Sequence, residues 1–239
     1  MKRSFTVFTA AALSLLLTAT ASAESWLDDA FGALTGMKWY TALIVVLLMA
    51  MGTVLCVQKK SRWNAKKLSY AAMCIAIAFV LSCIKLFRMS QGGSVTPGAM
   101  LPLIMFSLAC GPMQGIVVGC AFGLLQMIED FYVIHPVQLL VDYPMAYAAL
   151  ALGCLALLLP QKYDRFRLPL AVLLGYLGRY AMATLSGAIF FAEYAGEQNA
   201  WVYSLAYNIS YLGVEALLAC VIAFIPGFGR ILRTMEKLR

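Results

Sequence analysis

The stretch HPVQLLVDYPMAY, residues 135–147, holds the chain's single histidine, His135, and sets a carboxylate, Asp142, among aromatic residues at the start of an apolar run. Acid–base chemistry would require that pair to share one geometry. A seven-residue separation through a proline-containing segment does not impose one, and no nucleophile or metal cluster accompanies it. A membrane enzyme using Asp142 and His135 is therefore the weaker reading. Two further charges, Arg179 and Glu215, fall deep inside apolar runs, where a charge costs about 2.5–3.5 kcal/mol even on insertion scales. Their opposite signs make a structural ion pair the expectation. Ser204, Asn208, Tyr211 and Glu215 recur at i, i+4, i+7 and i+11 and so share one helical face. Such a stripe must look into a protein interior. A carboxylate, several tyrosines and an asparagine around an opening suit a small aromatic cation, with cation–π attraction of about 0.5–2 kcal/mol. The same tyrosines also fit an interfacial aromatic belt, and spacing alone leaves both readings open.

The elements that must position these residues follow from composition. The chain has 239 residues, 63% of them hydrophobic and only 12% charged, against roughly 25% charged in a soluble domain. Several runs approach the ~20 apolar residues that cross a bilayer as a helix, without the alternation of a barrel. The fold class is an all-α integral membrane protein. Seven cysteines lie within or beside apolar segments without metal-ligand spacing, so they read as small apolar fillers, and no metal or cofactor is expected. The net charge of +7 does not point to nucleic acid, because most of the basic residues cluster beside apolar runs and report topology.

The first 23 residues combine Lys2 and Arg3, an apolar core and an Ala21-Ser22-Ala23 cleavage site, the pattern of a signal peptide, with an uncleaved anchor as the competing reading. Residues 24–67 form an extra helix ending in a basic linker that contains Lys59, Lys60, Arg62, Lys66 and Lys67. Six spans follow at 68–87, 98–111, 113–128, 139–160, 168–192 and 201–225, and 226–239 is a basic tail. Lys162, Arg165 and Arg167, then Arg230, Arg233, Lys237 and Arg239, fall on the same side as the linker. By the positive-inside rule the C-terminus is cytoplasmic and the Asp142 end faces outward. Ala72 and Ala76 form a small-xxx-small pair, and Gly115, Gly119 and Gly123 repeat every four residues, both signs of close helix contact. No P-loop is present, so uphill movement of a solute would borrow its energy from a partner.

The segments QGGSVTPGAMLPL (91–103), GLLQ (123–126), YVIHPVQLLVDYPMAY (132–147), GRYAMATLSGAIFF (178–191) and WVYSLAYNISYL (201–212) resemble, in order, the thiamine-specific S component of energy-coupling factor (ECF) transporters. The resemblance covers about 68–225. It implies a six-transmembrane-helix S-component bundle, here preceded by the signal peptide and the extra helix. It also implies a non-enzymatic subunit in a bacterial plasma membrane that captures thiamine and docks on a transmembrane coupling subunit with two ATPases. The docking face would be the alanine motif of the first helix, Ala72 and Ala76. The substrate-binding residues would be Asp142, Tyr143, Tyr132, Tyr203 and Asn208, with Phe191 at the position of a stacking tryptophan. The loop 88–97, through Gly92, Gly93 and Ser94, would close as a lid.

Two positions depart from the family pattern. Ala183 stands where a ligand-contacting histidine is expected, and Phe191 replaces the tryptophan. Ala183 offers no hydrogen bond, and Phe191 presents a smaller ring. A thiamine precursor such as the hydroxymethylpyrimidine, or another vitamin, is therefore the alternative cargo.

Overall fold

The structure, a computed structural model, describes residues 63–89, 92–129 and 134–237. The signal peptide and most of the extra N-terminal helix segment lie outside the described residues, as does Tyr132. Among the described residues, five helices are long and apolar enough to cross a membrane, and a sixth is shorter.

Helix α1, Ala65–Cys83, starts at Asn64, whose side chain accepts the Lys67 N–H at 2.8 Å and so satisfies one of the orphan donors of the first turn. Its buried stripe of Ala71, Cys74, Ala78 and Ser82 keeps to helical spacing. Leu68, Met73, Ile77 and Val80 stay exposed on the other faces, as do Ala72 and Ala76. A short hairpin follows, β1 Phe87–Arg88 paired antiparallel with β2 Ser94–Val95 in the register Phe87↔Val95 and Arg88↔Ser94.

Helix α2, Leu101–Cys110, has only ten residues, about 15 Å of rise against a hydrocarbon thickness of ~30 Å. The sequence suggested a span over 98–111. The helix is shorter because Gly98, at φ +77°, and Gly111, at φ +113°, adopt backbone conformations that L side chains rarely take and that a right-handed helix excludes. It is buried along nearly its whole length and forms the middle of the core with Phe122, Leu150 and Val172.

Helix α3, Pro112–Glu129, packs through its glycines. A Cβ on Gly115 would collide with Ser107 of α2, and one on Gly119 with the Tyr147 carbonyl. One on Gly123 would lie 2.6 Å from the Tyr143 oxygen. The glycine repeat thus brings α3 against the backbone of α4.

Helix α4 covers residues 136–158 in four pieces: α-helix Pro136–Leu140, a π-helical turn Val141–Met145, a single α turn Ala146–Ala148, and 3-10 helix Ala149–Leu158. The π turn contains Pro144. Proline has no N–H and its ring clashes with the carbonyl four residues back, so a wider turn is the local relief. Helix α5, Asp164–Phe190, and helix α6, Ala200–Ala223, complete the bundle. The basic tail is not featureless. It forms helix α7, Pro226–Glu236, which buries Leu232 and Met235 and packs against α2.

The glycine packing predicts a sharp contrast. Gly123→Val drives a side chain into backbone that cannot retreat and should destabilise the bundle by about 1–3 kcal/mol or more. Gly213→Ala meets only the Ile209 side chain, at 3.4 Å, and should leave stability equal or higher. Thermal unfolding of the two variants in detergent measures the difference.

Candidate functional site

Helices α4, α5 and α6 and the hairpin line a cavity of ≈ 140 Å³, at the end of the bundle away from Arg165 and Arg230. Asp142, Tyr143 and Tyr147 reach it from α4, and Arg179, Ala183 and Gly187 from α5. Phe191 and Tyr194 follow α5, and Tyr203, Ser204, Tyr207, Asn208 and Tyr211 come from α6. Gly92, Gly93 and Ser94 of the hairpin cover the side that the helices leave.

Asp142 sits in the π turn, one helical turn beyond Gln138. The Gln138 Nε2 donates to Asp142 Oδ2 at 2.5 Å, while its Oε1 accepts the Ile134 N–H at 3.2 Å. This buried glutamine therefore fixes one carboxylate oxygen and ties it to the chain entering α4. Composition had singled out the acid, yet its partner four residues earlier is an i, i+4 pair of the kind helices bring together.

Asn208 is held from three directions. Its Nδ2 donates to the Ser204 carbonyl at 2.9 Å and the Ala183 carbonyl at 3.3 Å, and its Oδ1 accepts from the Tyr211 hydroxyl at 2.8 Å. Ser204 in turn donates to the Thr184 carbonyl at 2.8 Å. Gly187 permits this contact between α5 and α6, because a Cβ there would overlap the Ser204 hydroxyl. All four residues of the polar stripe, Ser204, Asn208, Tyr211 and Glu215, are buried.

Aromatic rings supply much of the wall. Tyr203 stacks on Tyr207 with centroids 6.1 Å apart, Tyr207 meets Tyr211 edge to face at 5.7 Å, and Phe191 lies 6.0 Å from Tyr194. The Gly93 N–H donates to the Tyr207 hydroxyl at 3.2 Å. A Cβ on Gly93 would stand 2.9 Å from the Tyr211 ring, so glycine is what lets the hairpin close on α6.

The expected ion pair between Arg179 and Glu215 is not made. Arg179 lies over the Tyr147 ring, 4.2 Å from its centroid, with Nη1 2.8 Å from the Met100 sulfur. Glu215 accepts from the Thr96 hydroxyl. Both charges instead line a small polar recess of ≈ 20 Å³ that continues from the cavity. The aromatic face and the hydroxyl are partners that helical spacing could not reveal. Lys85, also on the cavity, pairs with Glu129 at 2.9 Å.

His135 stands apart. Its Nδ1 accepts the Val137 N–H at 3.1 Å as the cap of α4, and its ring stacks on Phe190 at 5.2 Å. It does not line the cavity, whose wall at Ala183 presents only a methyl group. Among the described residues, no three His, Cys, Asp or Glu side chains are grouped to hold a metal ion. Ala72 and Ala76 lie on an exposed face of α1 and are not part of the cavity.

This is an all-α-class, multi-pass membrane protein with one short hairpin, built around a cavity with buried, oriented polar groups. Residues 68–231 match the family described as thiamine transporter protein. The chain belongs to that family and has the character of a ThiT-like S component. The thiamine transporter ThiT of Bacillus subtilis (strain 168) is 36% identical over 163 residues, covering 63% of this chain and 84% of that protein. A solved structure of ThiT from Listeria monocytogenes superposes with a TM-score of 0.55 at 22% identity, covering 72% of this chain and 96% of that one, and supports the fold. The family and the Bacillus relative are transporters, not enzymes.

The capping role of His135 has a direct test. His135→Ala should cost about 0.5–2 kcal/mol, the usual value of an N-cap acceptor, whereas His135→Asn retains an acceptor and should recover most of it. Thermal denaturation of the two purified variants measures the order.

Proposed function

We propose that this protein is the substrate-binding subunit of an ECF-type importer. It captures thiamine from outside the cell and passes it to a transmembrane coupling subunit driven by two ATPases. The observation that carries the reading is the charge balance of the cavity. Two carboxylates, Asp142 and Glu215, share the cavity and its recess with one guanidinium, Arg179, while Lys85 is engaged by Glu129. Acids outnumber the guanidinium there, an arrangement that suits a cation, and thiamine carries one fixed positive charge on its thiazolium ring.

Asp142, oriented by Gln138, places its carboxylate on the cavity for the ligand. Tyr143, Tyr203 and Phe191 offer ring faces to a flat cation, and Tyr132 is assigned to the same wall by the family pattern. Asn208 presents a preoriented amide. Gly92, Gly93 and Ser94 act as the lid, with the Gly93–Tyr207 hydrogen bond as its latch. The basic segments at the opposite end favour a cytoplasmic C-terminus, so the cavity opens outward. The exposed Ala72 and Ala76 on α1 offer a small-residue face to the coupling subunit. A second cargo, the hydroxymethylpyrimidine precursor of thiamine or another vitamin, is favoured by one observation. Ala183 leaves the wall without the imidazole of the family pattern.

Titration calorimetry of the full chain in detergent tests the cargo. Thiamine should bind one to one at submicromolar concentration. Asp142→Asn removes a charge-assisted contact worth about 1.5–3 kcal/mol, so affinity should fall roughly ten- to a hundredfold. Tight binding of the pyrimidine with none of thiamine would overturn the assignment in favour of the precursor. For the docking face, Ala72→Trp with Ala76→Trp should leave thiamine affinity unchanged and abolish co-purification of the coupling subunit and ATPases.

A further inference from the structure

At the end of the bundle opposite the cavity, a second concavity of ≈ 530 Å³ lies between the start of α5, the end of α6 and helix α7. Its charge is mixed, with basic groups in excess. Three arginines, Arg165, Arg230 and Arg233, line it together with two carboxylates, Asp164 and Glu236. Both carboxylates are already engaged by Arg167, whose Nη1 lies 2.8 Å from Asp164 and 3.9 Å from Glu236. Arg233 donates through Nε to the Gly229 carbonyl at 3.3 Å and is exposed. Arg165 and Arg230 are exposed and form no ion pair with a described carboxylate.

The apolar surroundings match an amphiphile. Phe166 and Phe224 meet edge to face at 6.2 Å on the rim, and Ile225 and Ile231 are half exposed beside them. From the rim, the exposed side chains of α6, Val221 and Leu217, continue along the membrane-facing surface. Helix α7 has the separation of faces typical of interfacial helices. Leu232 and Met235 point to the core, and Arg230, Arg233 and Lys237 lie on exposed surface. Guanidinium groups bind phosphate through paired donors, and basic clusters next to a membrane span recruit anionic headgroups.

We propose that the groove between α5, α6 and α7 binds an anionic phospholipid, with Arg165 and Arg230 on the headgroup phosphate and the acyl chains along Val221 and Leu217. Such a lipid would brace α7 against the two spans that carry most of the cavity wall. The groove is independent of the thiamine assignment, since none of its residues touches that cavity.

Native mass spectrometry of the full chain, in a neutral maltoside detergent with equal phosphatidylglycerol and phosphatidylcholine, tests the proposal. Phosphatidylglycerol adducts should exceed phosphatidylcholine adducts by about tenfold or more. The Arg165→Gln/Arg230→Gln double variant should lose that excess, while Lys66→Gln, at an exposed base on α1, should keep it. Equal adducts of the two lipids would overturn the proposal. So would an excess that survives in the double variant or disappears equally in Lys66→Gln. Complete displacement of phosphatidylglycerol by inorganic phosphate would also overturn it, by showing a site for the free anion. Arg230→Gln alone, changed only in an exposed side chain, repeats the comparison if the double variant is poorly produced.

Discussion

The site depends on one backbone irregularity, the π turn at Val141–Met145, and on the glycine face of α3 that presses against it. A regular α-helix turns 100° per residue, so side chains four apart drift by about 40° at each step. Over Gln138, Asp142 and Ala146 that drift would total about 80°. The wider π turn works against it, and all three line the same wall. Pro144 makes the turn favourable locally, and Gly119 and Gly123 let α3 approach the widened backbone closely. The acid, its glutamine partner and the tyrosines next to it are thus aimed by a packing constraint outside the cavity.

A second constraint is that polar groups at membrane depth need partners. The structure meets it by linking polar side chains into short chains between helices. Gln138 ties Asp142 to the entry of α4. Ser204 and Asn208 tie α6 to α5 carbonyls. Gln126 donates to Ser82 at 2.8 Å and accepts from the Tyr147 hydroxyl at 3.3 Å, joining α1, α3 and α4.

Much of this was legible in the sequence because hydropathy and helical period are strong signals. The six core spans correspond to α1 through α6, and the stripe Ser204, Asn208, Tyr211, Glu215 is buried as its spacing requires. Phe191, which only the family resemblance named, meets Asp142, Tyr143, Tyr203, Asn208 and the Gly92–Gly93–Ser94 segment at one cavity. What escaped were features without a periodic signature. The π turn depends on how Pro144 is relieved. Arg179 chose a tyrosine face over Glu215, a decision of rotamer and helix rotation. The helix in the tail was masked by its basic composition, although Leu232 and Met235 repeat at i, i+3.

The histidine shows how a residue's chemistry can mislead when its backbone position is ignored. His135 precedes Pro136, the first residue of α4, and a proline there leaves the preceding residue extended, at φ −149° and ψ 143°. That is the conformation of an N-cap, whose side chain turns back onto the first free N–H groups. The Nδ1 of His135 is committed to Val137 and its ring to Phe190, and it does not line the cavity. An imidazole so anchored cannot stand in for the one absent at Ala183. With a methyl group at Ala183, the cavity wall carries its polar and aromatic groups on other residues, among them Asp142, Asn208 and the tyrosines.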